Sequence, residues 1–121
     1  MDKINLTIPK KSEYMSTIRL TTSALSSIKE FNVDEIEDLK VVISEVCTFF
    51  MRNIEKSNEP LYISYTADEK KLTVEVTDLN DGEISEENKI NSEMCVMIIE
   101  SLADSYEFDL GNKKIVFVKN K

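Results

Sequence analysis

The sequence predicts a two-layer α/β sandwich, a mixed and mostly antiparallel sheet with its helices on one face. Alternating apolar runs arrive in close pairs, Leu61 to Thr66 with Leu72 to Thr77 and Tyr106 to Leu110 with Ile115 to Phe117, which is the spacing of hairpins. Other stretches carry apolar residues at three and four, the period of a helix that buries one stripe. Strands in antiparallel pairs with helices between them bury both sets of side chains when one layer lies on the other. With 121 residues and 41% apolar content, one domain spanning residues 1–121 has enough side chains for a core.

Ile4, Leu6 and Ile8 alternate and stop at Pro9, which predicts a first strand at a sheet edge. Lys10 and Lys11 follow as a short basic turn. From Ser12 or Glu13 a helix is expected, with Tyr14, Ile18, Thr21, Leu25 and Ile28 on its buried stripe. Its many serines and threonines make it dependent on packing. Arg19 falls off that stripe, either as a solvated charge or as a contact for something else.

The strongest helical pattern runs from Asp34 to Asn53, DEIEDLKVVISEVCTFFMRN. Ile36, Leu39, Ile43, Val46 and Phe50 form its stripe, and Val42 and Phe49 widen it. Asn32 or Asp34 can cap the N-terminus, with Glu35 or Glu37 three positions later closing a capping box. Glu45 stands amid these apolar residues, either a solvated boundary charge or a carboxylate with a chemical role.

Ser57 to Pro60 break the pattern before the first hairpin, which turns at Ala67 to Lys70. Leu61, Ile63 and Tyr65 face one way, as do Leu72, Val74 and Val76. Asp78 to Glu87 is acidic and polar and reads as a loop. Ile90, Met94, Met97, Ile98 and Leu102 mark a further helix, its methionines expected as core filler. Tyr106, Phe108 and Leu110, a Gly111-Asn112 turn, and Ile115 with Phe117 predict the C-terminal hairpin.

Fifteen basic and 23 acidic residues give a net charge of −8. That disfavours nucleic acid or an anionic membrane as a partner and favours a protein with a basic patch. Cys47 and Cys95 lie in apolar helical contexts and are expected as reduced core thiols. The lack of any histidine excludes His-based general bases, Ser–His triads and ordinary zinc sites. No signal-peptide pattern opens the chain and no apolar run approaches membrane-spanning length, so a cytoplasmic location is expected.

The run IPKKSEYMSTIRLTTSALSS, followed by DEIEDLKVVISEVCT, closely resembles the bacterial anti-sigma-factor serine kinases of partner-switching systems. These belong to the larger group of ATPases that includes gyrase, Hsp90 and histidine kinases. The likeness runs through nearly the whole chain and is most specific from Tyr14 to Thr48. It implies the histidine-kinase-like ATPase fold. In that family the long helix carries Glu-x-x-x-Asn, whose glutamate activates the attacking hydroxyl and whose asparagine holds Mg²⁺. An Asp-x-Gly after the next hairpin reads the adenine amino group. A lid follows, and then a glycine-rich segment at a helix N-terminus receives the phosphates.

The resemblance places Glu45 at the catalytic glutamate and Asp78 at the adenine-binding aspartate. It places Phe49 at the magnesium asparagine, where a phenyl ring offers no oxygen to a cation that takes octahedral oxygen ligands. Asn53 is one turn further on, about 6 Å along the axis at ~1.5 Å per residue. Asn80 replaces the glycine after Asp78, and Glu93 and Cys95 stand where the phosphate segment has glycines. Glycine there lets backbone N–H groups approach the phosphates. A carboxylate held ~4 Å from a phosphate charge costs on the order of 4 kcal/mol at an effective dielectric near 20. The stretch from Asp81 to Ser92 is short for a nucleotide lid.

These departures lead to an anti-sigma-factor-like regulatory protein that acts by protein–protein binding, with neither ATP nor Mg²⁺ as cofactor. The alternative is an active ATP-dependent serine protein kinase that phosphorylates an antagonist protein, holding ATP and Mg²⁺ through Glu45, Asp78 and either Asn53 or Asp81. A third is a nucleotide-free structural subunit. In the family the position of Arg19 contributes to partner contacts, so Arg19 is expected to bind a sigma factor or an anti-sigma-factor antagonist. A homodimer is compatible with the family, whose members dimerise.

Overall fold

The computed structural model describes residues 2–53, 59–79 and 93–121. Strands β1 (Asp2–Ile8), β2 (Leu61–Ala67), β3 (Lys71–Asp78), β4 (Ser105–Asp109) and β5 (Lys114–Asn120) form one sheet in the order β1-β2-β3-β5-β4. All of its described pairings are antiparallel. The register sets Ile63 against Val76, Tyr65 against Val74, and Val74 and Val76 against Phe117 and Ile115. Period-two alternation therefore puts these residues, with Leu61 and Leu72, on one face, and all of them are buried. The first strand takes the edge position that Pro9 implied.

Helices α1 (Met15–Ile28), α2 (Val33–Asn53) and α3 (Glu93–Leu102) supply the other half of the core. The α2 N-terminus is fixed by a reciprocal capping box. The Glu35 N–H donates to the Asn32 side-chain oxygen at 2.8 Å, and the Asn32 N–H donates to the Glu35 carboxylate at 2.8 Å. Leu39, Val42, Ile43, Val46, Phe49 and Phe50 of α2 are buried, so the widened stripe is the one the spacing gave. Lys119 on β5 ties the helical layer together. Its ammonium donates to the Asp38 carboxylate on α2 at 3.1 Å and to the last carbonyl of α3, that of Leu102, at 2.9 Å.

Two helices are rotated from their expected phase. The buried residues of α1 are Met15, Ile18, Thr22 and Ser26, whereas Ile28 is 71% exposed and Tyr14 sits in a preceding 3-10 turn, Ser12–Tyr14. The hydroxyls decide this. Thr22 and Ser26 donate to the carbonyls of Ile18 and Thr22 at 2.9 and 2.8 Å, so both bury polar atoms that are already satisfied. In α3 the buried residues are Cys95 and Ile99, four apart and turned inward, while Met94 and Met97 are exposed. The methionines are surface residues and not core filler. Ile90 lies outside the described residues.

The turns also differ in detail. Asp78 is the last residue of β3 and not the first of a loop. In the C-terminal hairpin Leu110–Asn112 form a 3-10 turn, and Lys113 (φ 53°), not Gly111, takes the left-handed conformation. No helix among the described residues is long and apolar enough to cross a membrane.

Candidate functional site

Glu45 projects half-buried from the middle of α2. It lines a groove of about 380 Å³ between α1 and α2, together with Arg19, Glu37, Lys40, Val41 and Ser44. The Arg19 guanidinium donates to the Ser44 hydroxyl at 3.5 Å, and that hydroxyl donates to the Lys40 carbonyl at 2.8 Å. Arg19 and Glu45 are thus brought to one surface, because α1 and α2 form a tight helical hairpin. On its other side Glu45 meets α3. Its carboxylate is within hydrogen-bonding reach of the Cys95 thiol, which is pushed up to about 11, first by burial and then by the bond to Glu45. At neutral pH Cys95 is therefore a protonated donor and not a thiolate nucleophile.

One turn after Glu45, Phe49 points into the core and is 1% exposed. Its ring meets that of Phe50 edge-to-face, with centroids 5.6 Å apart and planes at 88°. Apolar packing fills this position, and the residues present do not fit Mg²⁺, which needs oxygen ligands. Among the described residues no cluster of three acidic or cysteine side chains is placed to hold a metal. The Asn53 side chain, Asn80, Asp81 and the stretch from Asp81 to Ser92 lie outside the described residues.

At the far end of β3, Asp78 is 2% exposed. Its Oδ2 accepts from the Lys10 ammonium at 2.8 Å, and the two side chains are 0% and 5% exposed. Its backbone N–H donates to the Lys113 carbonyl at 2.9 Å. A buried pair of this kind persists because the Lys10 ammonium has its counter-charge, and removing Asp78 would leave that cation stranded in low dielectric. Lys10 is the residue that sequence reading missed. No local pattern marks it, since its partner lies 68 positions along the chain.

Glu93 opens α3 and is exposed. A carboxylate there complements the helix dipole and sets negative charge at the segment that the resemblance assigns to the phosphates. Cys95 lies within the first turn of the helix, with a side chain where a close backbone approach would need none.

The family model for the histidine kinase-like ATPase domain matches residues 8–119. The serine-protein kinase RsbW of Bacillus subtilis is 38% identical over 83 residues, 67% of this chain and 52% of that protein. The RsbW of Listeria monocytogenes is 39% identical over 79 residues, 64% and 50% of the two chains. That of Bacillus velezensis is 28% identical over 109 residues, 90% and 55% of the two. The chain spans about half the length of the curated relatives it matches. Among solved structures, the RsbU and RsbW domains of Rv1364c from Mycobacterium tuberculosis match 99% of this chain and 32% of that one, with a TM-score of 0.73 and 12% identity. That likeness is one of fold, and it agrees with the antiparallel sheet and one-sided helical layer. With a family model spanning residues 8–119, this chain belongs to the histidine kinase-like ATPase domain family.

Proposed function

We propose that this protein is a regulatory member of its family that works by binding other proteins and has lost Mg–ATP phosphotransfer. The observation that carries this is Phe49, a buried phenyl ring at the position that the resemblance assigns to the metal-holding asparagine. Glu45 would be the catalytic glutamate, Asp78 the remnant of the purine-reading aspartate, and neither has a metal-bound phosphate to act on. The partner is a sigma factor or an anti-sigma-factor antagonist, and Arg19 at the mouth of the α1–α2 groove is its contact. A planar guanidinium beside Val41 and Ser44 suits a carboxylate on the partner. The net charge of −8 favours a protein with a basic patch over nucleic acid or an anionic membrane. We read the protein as cytoplasmic, as one domain over residues 1–121, and as a candidate homodimer.

Glu45, half-buried in an open groove, is the observation that favours the other reading, an active serine kinase with ATP and Mg²⁺. One experiment separates the two. Purified protein is mixed with labelled ATP, Mg²⁺ and a purified antagonist domain, and in parallel with sigma factor lacking nucleotide. The regulatory reading expects nucleotide-independent binding and no label on the antagonist. Transfer of label to an antagonist serine would establish the kinase.

A further inference from the structure

The geometry points to Lys10 as the chain's own ligand for Asp78, closing from inside the end of the site where an amino-bearing heterocycle would dock. This rests on the reading of Asp78 given above as the purine-reading carboxylate. Such a carboxylate must offer an acceptor oxygen to an incoming N–H, because an ionised aspartate only accepts. Here Oδ2 already accepts from the Lys10 ammonium at 2.8 Å, with almost no exposure of either side chain. An ammonium adds the attraction of a full opposite charge to its hydrogen bond on the carboxylate, which a neutral amine does not supply. Displacing it would also leave a buried cation without its partner, which a neutral donor cannot offset.

The backbone delivers Lys10 to this position. Pro9 ends β1, and the Lys11 N–H donates to the Pro9 carbonyl at 2.8 Å, a three-residue turn with Lys10 at its centre. That turn sends neighbouring lysines opposite ways: the Lys10 side chain is buried on Asp78, and Lys11 is exposed. The closure is independent of Phe49. Opening the metal position would therefore leave the purine end shut.

Lysine acylation read by mass spectrometry tests this on the whole protein, with and without millimolar adenosine, a probe that needs neither phosphate nor metal contacts. Lys10 is expected to label at least about tenfold more slowly than Lys11, at a rate adenosine does not change, and Asp78→Asn is expected to release it. Labelling of Lys10 as fast as Lys11, or acceleration by adenosine, would overturn the assignment. A folded Lys10→Ala variant is expected to gain a saturable thermal-shift response to adenosine that the wild type lacks, and indifference of that variant would also overturn it. If Lys10→Ala does not fold, the wild-type labelling decides alone. Fast labelling would leave the argument from Phe49 standing, whereas phosphotransfer by a wild type with protected Lys10 would overturn the proposed loss of activity and leave the ion pair intact.

Discussion

The hydroxyl of Thr22 on α1 and the phenol of Tyr65 on β2 meet at 2.8 Å with both side chains buried. This bond joins the helical layer to the sheet through polar atoms inside the core. Tyr65→Phe is expected to lower stability by about 1 kcal/mol, since it leaves the Thr22 hydroxyl bonded only to the Ile18 carbonyl. Thr22→Val should cost a similar amount, and the double variant less than the sum, because the two changes delete one shared bond. Urea unfolding of the three variants checks this. Strict additivity would mean that the two hydroxyls act separately.

Glu30, two residues past the end of α1, takes the left-handed conformation, φ 63°, with its N–H on the Ser27 carbonyl and the Phe31 N–H on the Ser26 carbonyl. A residue with a Cβ is strained there by ~1–2 kcal/mol. Glu30→Gly should therefore raise stability by up to about 1 kcal/mol, the relieved strain less the greater chain entropy of glycine when unfolded. Thermal unfolding reads the sign directly, and a loss of stability would mean that the Glu30 side chain contributes something the backbone does not reveal.

Alkaline pH should unfold the protein earlier than its net charge alone suggests. Burial pushes Cys47 up from 9.0 to about 12 and Tyr65 from 10.0 to about 12, and burial with the Glu45 bond pushes Cys95 up to about 11. All three are neutral when protonated, and the unfolded chain loses these protons first. Stability is therefore intact below pH 9 and falls as pH rises from there toward 12. Each group contributes a slope of up to about 1.4 kcal/mol per pH unit while only its unfolded form is ionised. Denaturant midpoints measured from pH 8 to pH 11 check the slope. A Cys47→Ala variant with the same alkaline fall would remove Cys47 from the account.

How legible this was in the sequence depended on how local the cause was. The α2 capping box, its apolar stripe and the inward residues of β2 and β3 follow from spacings of two, three and four, and they stand as the pattern indicated. The α1 phase was not legible, because Thr22 and Ser26 are buried by virtue of hydroxyl bonds to their own helix and to Tyr65. An apolar count places Ile28 inside and those two outside. Met94 and Met97 misled for a related reason. Hydrophobic character does not fix which side of a short helix faces α2, and the compact pair Cys95 and Ile99 does. In the site, the aromatic character of Phe49 announced itself, and its burial follows from its place beside Val46 and Phe50. The Lys10–Asp78 pair could be seen only once β1 and β3 were brought to the same end of the sheet.

Arg19→Ala should leave folding nearly unchanged, because its one long hydrogen bond to Ser44 is only partly buried. Capture of a sigma factor or antagonist should weaken by about thirtyfold, the ~2 kcal/mol typical of removing an interfacial arginine. Surface plasmon resonance with purified partners reads both the affinity and its salt dependence. Equal affinities for the two proteins would reduce Arg19 to a solvated charge.

The proposed loss of metal–nucleotide chemistry is tested most directly by isothermal titration of the wild type and of Phe49→Asn with Mg–ATP. Neither protein is expected to give saturable heat at micromolar concentrations. The wild type lacks a metal ligand at position 49. The variant still carries Glu93 at the start of α3 and Lys10 on Asp78. Micromolar, Mg²⁺-dependent binding by the wild type would contradict the account, and so would recovery of binding by the single Phe49→Asn change.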